Sequence, residues 1–251
     1  MSEFVGEVGG DNTQDSMDTG WGELAAMPDF GDEKSAEHEE VVQIEIQNLS
    51  PDDSLEQAAE ALYLTDQYIC PDFFGDEERA KKFAQALFTD EPDVLFSYDR
   101  TIVAKDENGD IAGILVYRDS DCKPWDADAV EERFRTTGIE MPENFDRANR
   151  VYMPKVTGEM APGTAEIEFV GVRDAYRSQG VGKKMIQTLM DNPEYEELHL
   201  DVLDSHPWAS KSYGELGFQP EGEKFGNYPD GTEGVQHMVL RKEMEAEQSE
   251  A

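Results

Sequence analysis

The sequence predicts a mixed α/β domain over residues 41–242, and three observations predict it. Apolar residues gather in short β-rich runs such as "VVQIEI", "IAGILVY" and "AEIEFVGV". Other stretches carry apolar residues three and four apart, the spacing of one helix face. An Asn-Gly pair in "ENGD" divides "TIVAKD" from "IAGILVYRD", the signal of an antiparallel hairpin. The apolar share, 38% of 251 residues, is low because charge is high and not because core formers are missing.

Residues 1–40 hold 12 Asp or Glu and a single Lys, Lys34, without sustained periodicity. Low hydrophobicity with high net charge predicts a disordered acidic tail, and 243–251 a shorter disordered C-terminal end. "VVQIEI" reads as a strand. After it, turn and cap residues precede Leu55, Ala58, Ala59 and Leu62 at helical spacing. A second helix is expected at 76–88, with Ala80, Phe83, Ala84 and Leu87 as its stripe. "DVLFSYD" and the hairpin suggest two or three strands of an antiparallel meander. Residues 119–164 are polar and Pro-containing and read as an insertion of unknown role, with a helix at "DADAVEERFRTTG" and a strand at "RVYMPKV". "AEIEFVGV" is a strand, "GVGKKMIQTLM" a helix with Val181, Met185 and Leu189 on one face, and "ELHLDVL" a strand with Leu198, Leu200 and Val202 alternating. "HPWASKSYGELGF" reads as a helix with Pro207 in its first turn and Gly217 as its stop. "GVQHMVLRKE" closes the domain.

Fifty-seven acidic residues against 21 basic ones give a formal charge of −36. Affinity for nucleic acid or anionic membrane comes from Lys and Arg, so neither is an expected partner. Cys70 and Cys122 stand in neither CxxC nor metal-ligand spacing, and no metal is expected. The start "MSEFVGEVGGDNTQ" has no signal-peptide pattern and no segment approaches a membrane span, which predicts a cytoplasmic protein.

"AYRSQGVGKK", residues 175–184, follows a strand and opens a helix, the arrangement that binds phosphate through backbone amides and the helix dipole. A nucleotide P-loop would need Gly where Arg177 stands and Ser or Thr in place of Lys184. A dinucleotide fingerprint would need Gly in place of Met185. What remains is Arg177, Ser178, Gln179, Gly180, Val181, Gly182, an R-x-x-G-x-G pattern. Arg173, Arg177, Lys183 and Lys184 put four basic residues in 12 positions, where 21 in 251 predicts about one. In so acidic a chain this points to an anion site, the alternative being a positive loop that pairs with neighbouring acids.

"EIEFVGVRDAYRSQGVGKKMIQTLM" (166–190) and "HPWASKSYGELGF" (206–218) together resemble the two signatures of the GCN5-related N-acetyltransferase (GNAT) superfamily. His206 stands where the second signature has Asn. The resemblance implies a mostly antiparallel sheet flanked by helices, with a splay between the two central strands. It also implies acetyl-CoA as acyl donor and an amine, small-molecule or peptide, as acceptor, with a homodimer common in the family. Carried over position by position, Ser178, Gln179, Gly180, Val181, Gly182 and Lys183 after Arg177 would hold the pyrophosphate. Val170, Gly171 and Val172 would pair with the pantetheine arm, and His206 would flank the cofactor.

An amine must lose a proton before it attacks a thioester, and the departing thiolate benefits from an acid. Tyr213 falls at the family's acid tyrosine. Glu166 and Glu168, on one face of a regular strand, are the candidate bases, with Glu166 at the family's catalytic glutamate; water or simple ammonium binding by the glutamate are alternatives. His199 ranks behind them, and His237 and His38 carry no role. The expected function is N-acyl transfer by direct attack in a ternary complex; the alternative is a non-catalytic acyl-CoA sensor or interaction module. Hydrolysis by a serine elbow is excluded by the absence of G-x-S-x-G.

Overall fold

A computed structural model describes residues 42–65, 77–138, 159–204, 206–226 and 234–242, with 141, 145–146, 149–150 and 153 between them. The expected acidic tail, the C-terminal end and Cys70 lie outside the described residues. The first strand, β1, runs Glu45–Asn48, later than "VVQIEI" suggested. Helix α1 (Leu55–Tyr63) follows, its start capped by Ser54 Oγ accepting from the Gln57 amide at 3.3 Å. Helix α2 (Glu77–Leu87) buries Ala80, Phe83, Ala84 and Leu87, the expected stripe.

"DVLFSYD" is not a strand. Asp93 and Phe96 take left-handed backbone (φ 60° and 68°), which no strand accommodates, and Tyr98–Arg100 is a single 3-10 turn. β2 (Thr101–Lys105) and β3 (Ile111–Asp119) form the expected hairpin. Its loop is longer than a two-residue turn: Asp106 and Asp110 close it at 3.0 Å, with Gly109 left-handed at φ 84°. Helix α3 (Ala127–Thr137) starts at the cap Asp126 and stops at left-handed Gly138. Arg150 and Met153 are helical where a strand was expected; most residues between 139 and 158 lie outside the described residues. Then come β4 (Thr164–Val172), α4 (Val181–Asp191), β5 (Glu197–Leu203), α5 (Pro207–Glu215), the short β6 (Gln219–Pro220) and β7 (Phe225–Gly226), and β8 (Gly234–Arg241).

The eight strands form one sheet in the order β1-β2-β3-β4-β5-β8-β6, with β7 also on β8. Among the strands of the described residues only β4 and β5 pair in parallel, joined through α4 as a parallel pair requires a crossover. α1, α2 and α3 cover one face with Val103, Ile111, Ile114 and Val116, and α4 and α5 cover the other with Leu115, Leu198, Leu200 and Val202. No helix of the described residues is long and apolar enough to cross a membrane.

Helix α3, with Phe145 and Asn149 after it, belongs to the first of these layers. Phe134 of α3 stacks on Phe83 of α2 with centroids 4.1 Å apart, and Phe145 packs edge-on against Phe83 at 4.3 Å. Buried Asn149 accepts from Trp125 Nε1 at 2.7 Å and donates to the Ala127 carbonyl at 3.0 Å, so its amide is satisfied on both sides. Phe134→Ala is therefore expected to cost about 3–5 kcal/mol. Urea denaturation followed by circular dichroism measures it, and a loss below about 1 kcal/mol would mean that the insertion is a surface attachment.

Candidate active site

β4 delivers the chain into the loop that carries the R-x-x-G-x-G pattern. Asp174–Tyr176 make one 3-10 turn, after which Ser178 (φ 63°) and Gly180 (φ 71°) are both left-handed. A Cβ at Gly180 would meet nothing within 4 Å, so glycine is needed there for backbone shape and not for room. Ser178 holds the same region at a cost of roughly 1 kcal/mol. The first bond within α4 runs from the Lys184 amide to the Gly180 carbonyl at 3.0 Å. The amides of Val181, Gly182 and Lys183 therefore have no partner inside the helix, and their dipoles point to an anion.

The four basic residues of this region separate into two pairs. Arg173 donates to Glu60 at 2.7 Å and to the Ile111 carbonyl at 2.9 Å. Arg177, its side chain 10% exposed, pairs with Asp174 at 2.8 Å and reaches the Val172 carbonyl at 3.4 Å. Both arginines brace the loop. Gln179 braces it too, donating to the Ala175 carbonyl at 3.2 Å. Lys183 and Lys184 are the exposed pair whose charge faces solvent.

β4 and β5 pair from Thr164↔Glu197 to Ile167↔Leu200 and then part. Beyond that, β4 keeps β3 as neighbour to Val172, and β5 keeps β8 to Leu203. Among the described residues, no strand pairs with Val170, Gly171 and Val172 on the β5 side. Gly171 also faces α1: a Cβ there would fall 1.9 Å from the Ala61 carbonyl oxygen, so only glycine lets α1 lie this close to β4.

At the mouth of the gap β4 carries one extra residue. Val116 pairs with Phe169 and Tyr117 with Ile167, which leaves Glu168 as a β-bulge. Ala165 and Ile167 before it, and Val170 and Val172 after it, join the core under α4. Phe169 turns to the opposite core and stacks on Phe96 at 5.5 Å. Glu166 and Glu168 share one face as expected, and both bond Arg118 of β3, Glu168 at 2.5 Å through Nε and Glu166 through Nη2. Three strands meet on this face. His237 Nδ1 of β8 lies 2.7 Å from Asp201 Oδ1 of β5, and its ring meets His199 edge-on at 5.1 Å. A donor atom from each of Glu166, Asp201 and His237 lies within 4.8 Å of the others.

The model of the acetyltransferase (GNAT) family matches residues 62–218, more than half of the chain. The chain belongs to the GNAT acetyltransferase family. Among solved structures it is similar to an acetyltransferase with 19% identity and a TM-score of 0.55, over 78% of this chain and 98% of that one. An N-acetyltransferase from Staphylococcus aureus matches at 17% identity and TM-score 0.55, over 78% and 100% of the two chains. A Corynebacterium glutamicum protein described as histone acetyltransferase HPA2 and related acetyltransferase matches at 16% and 0.51, over 80% and 97%. At these identities the likeness is one of fold: a mixed α/β, mostly antiparallel sheet flanked by helices. No curated protein sequence matches the chain. GNAT enzymes use acetyl-CoA as acyl donor and in general act on amines.

In this GNAT fold the charges at the mouth of the gap are strongly coupled. Burial raises the pKa of Glu168, the neighbouring Glu166 charge raises it further, and Arg118 opposes both. Glu166 is raised by burial, again against Arg118. On the other face, α5 supplies Tyr213, half-buried and edge-on to Phe218 at 6.0 Å; burial pushes its hydroxyl up to about 12, so it keeps its proton at neutral pH. His206 sits at the N-cap of α5 without a side-chain cap bond and meets Trp208 edge-on at 5.8 Å. An Asn at this position would be a preferred cap.

The sequence reading did not assign Arg118, Asp201 or His237. Alternation does put His199 and Asp201 opposite Leu198, Leu200 and Val202, but the pairing of β5 with β8 that brings His237 to them is tertiary. Since the folded pKa of Glu168 is raised, the stability it contributes is full below the unfolded value of about 4.5 and is lost as pH rises. Glu168→Gln removes that loss. The variant is expected to match the parent in thermal stability near pH 4 and to exceed it at pH 8, each pKa unit of the rise being worth about 1.4 kcal/mol. Calorimetric melting at the two pH values checks this, and a variant less stable at pH 8 would mean that the Arg118 pairing outweighs burial.

Proposed function

We propose that this protein transfers an acetyl group from acetyl-CoA to a primary amine by direct attack while both substrates are bound. The observation that carries the reading is the parting of β4 and β5 directly before a helix start with free amides. The gap suits an extended arm bearing amides, which the backbone of Val170, Gly171 and Val172 would pair with. The helix start suits a pyrophosphate, held by the amides of Ser178–Lys183 in a loop that Arg177 braces. His206 would flank the cofactor from α5. We assign the activity to residues 41–242, with 119–164 as part of its helical layer.

On the acceptor side we assign Glu166 to receive the ammonium. After one proton leaves, the amine nitrogen attacks the thioester carbonyl and a C–N bond forms. The tetrahedral adduct then collapses with breakage of the C–S bond. The departing thiolate takes a proton from the Tyr213 hydroxyl, which regains one as the new amide nitrogen loses its second. The products are the amide, free coenzyme A and one proton released to solvent.

The test is coenzyme A release over a panel of polyamines, amino acids, aminoglycosides and peptides. Tyr213→Phe is expected to lower kcat about 10²–10⁴-fold, the worth of one positioned proton donor, while calorimetric affinity for acetyl-CoA stays constant. Glu166→Gln is expected to raise KM for the amine about tenfold, the equivalent of about 1.4 kcal/mol of binding. Acetyl-CoA bound tightly with no release across the panel would instead favour the non-catalytic sensor.

A further inference from the structure

We propose that the chain's own acidic segment "PDFGDEKSAEHEE", residues 28–40, competes with acetyl-CoA for the start of α4, its carboxylates lying against Lys183 and Lys184 until the donor displaces them. The proposal rests on the acyltransferase reading, because the contested site is the one assigned to the donor, and it adds a regulation of that site by the chain itself.

The point from which the segment departs is fixed by the sheet. Glu45, at the start of β1, pairs with Lys105 at the end of β2, directly before the hairpin loop. That loop touches the R-x-x-G-x-G turn: the Tyr176 hydroxyl donates to Asp106 at 2.8 Å, and the Arg173 amide donates to the Ala112 carbonyl at 2.9 Å. The start of β1 and the start of α4 therefore lie at the same end of the sheet. They also lie on the same face, since α4 packs on β1, and Ile44 and Ile46 join the core that holds Val181, Met185 and Ile186. Going back from Ile44, the chain leaves beside the donor site.

Charge decides where an acidic segment can settle. Residues 1–40 carry −11 of the chain's −36, so the remainder carries −25 and repels the segment over most of its surface. Lys183 and Lys184 are the exception. Both are exposed, and among the described residues no carboxylate pairs with either. The other described lysines are spent: Lys81, Lys82, Lys105, Lys123, Lys211 and Lys224 pair with carboxylates, and Lys242 donates to the Leu189 and Asn192 carbonyls at 3.4 and 2.5 Å. Two adjacent lysines left unpaired in a chain with 57 acids are the place that answers a segment with six, namely Asp29, Asp32, Glu33, Glu37, Glu39 and Glu40.

Reach and strength follow from chain length. The 11 residues from Glu33 to Ile44 span about 18 Å as a flexible chain, against about 10–12 Å for the width of a helix. A tether of this length holds the carboxylates at an effective concentration in the millimolar range. Exposed ion pairs are weak one by one, so the segment is a partial competitor, one that a polyanionic donor displaces.

The experiment uses the full chain and reads contact and competition separately. A nitroxide on Ser35→Cys, with Cys70→Ser and Cys122→Ser, is expected to broaden the amide NMR signals of 181–184 and to spare Thr164 and Tyr195 at the far end of the sheet; acetyl-CoA or 1 M salt, where the Debye length is about 3 Å, restores the signals. Neutralising the six acids of 28–40 to Asn or Gln is expected to tighten acetyl-CoA binding in calorimetry roughly threefold at 50 mM salt and not at all at 1 M. Neutralising Glu3, Glu7, Asp11, Asp15, Asp18 and Glu23 instead removes the same charge from a part of the tail with a several-fold lower effective concentration, and is expected to gain less. Equal gains from the two variants, or no broadening at 181–184, overturn the proposal and leave acyl transfer standing. So does broadening that passes only from a spin-labelled chain to a separate isotope-labelled one, which makes the occupant a second copy. Failure of acetyl-CoA to bind the parent and both variants overturns the acyltransferase reading, and the competition with it.

Discussion

Two parallel strands that stay together at one end and apart at the other are the constraint on which the rest of this structure depends. Left to themselves, β4 and β5 would gain further ladder bonds past Ile167 and Leu200, because an unpaired strand edge is costly when buried. Their outer partners hold them apart. β4 is committed to β3 through Val172, β5 is committed to β8 through Leu203, and each sheet step adds a right-handed twist of roughly 20–25°. The bulge at Glu168 sharpens that twist where the strands separate. The far end of β4 is fixed by Gly171, where the Ala61 carbonyl of α1 occupies the space of a side chain. Packing, and not the gap itself, keeps the gap open.

The same arrangement separates charge. A net −36 repels an anionic donor, yet the Debye length at physiological salt is only about 8 Å, so what lies within a few ångströms decides binding. At the helix end of β4 lie free amides and two exposed lysines, with both arginines spent on bracing the loop. On the face where β4, β5 and β8 meet lie Glu166, Glu168 and Asp201, answered by one guanidinium and the imidazoles of His199 and His237. Positive and negative charge are thus held on different sides of one gap.

Much of this was legible in the sequence, and what was not has a physical cause. The strand, loop and helix from Glu166 to Met190 are encoded locally, by alternation, by two glycines and by the apolar face of α4, and the mixed α/β class followed from the same patterns. "DVLFSYD" misled because its composition is strand-like, while Asp93 and Phe96 take left-handed backbone in a turn that buries Leu95 and Phe96. "AEIEFVGV" was legible as a strand but not as a bulged one. Its apolar residues fall at 165, 167, 169, 170 and 172, and only pairing with β3 decides which of them change face. The four basic residues looked alike, and only the positions of Glu60 and Asp174 tell the bracing arginines from the exposed lysines. His237 stands 36 residues from Asp201, a separation that no spacing rule reads.

Two glutamates share one arginine at the mouth of the gap, and burial explains why. Two buried carboxyls on one face each tend to stay protonated, and the pKa of each is raised, first by burial. Arg118 opposes the rise in both, donating to Glu168 through Nε and to Glu166 through Nη2. A guanidinium presents its donors in a fixed planar fork, so one side chain of β3 meets two carboxyls that the bulge of β4 leaves on one face.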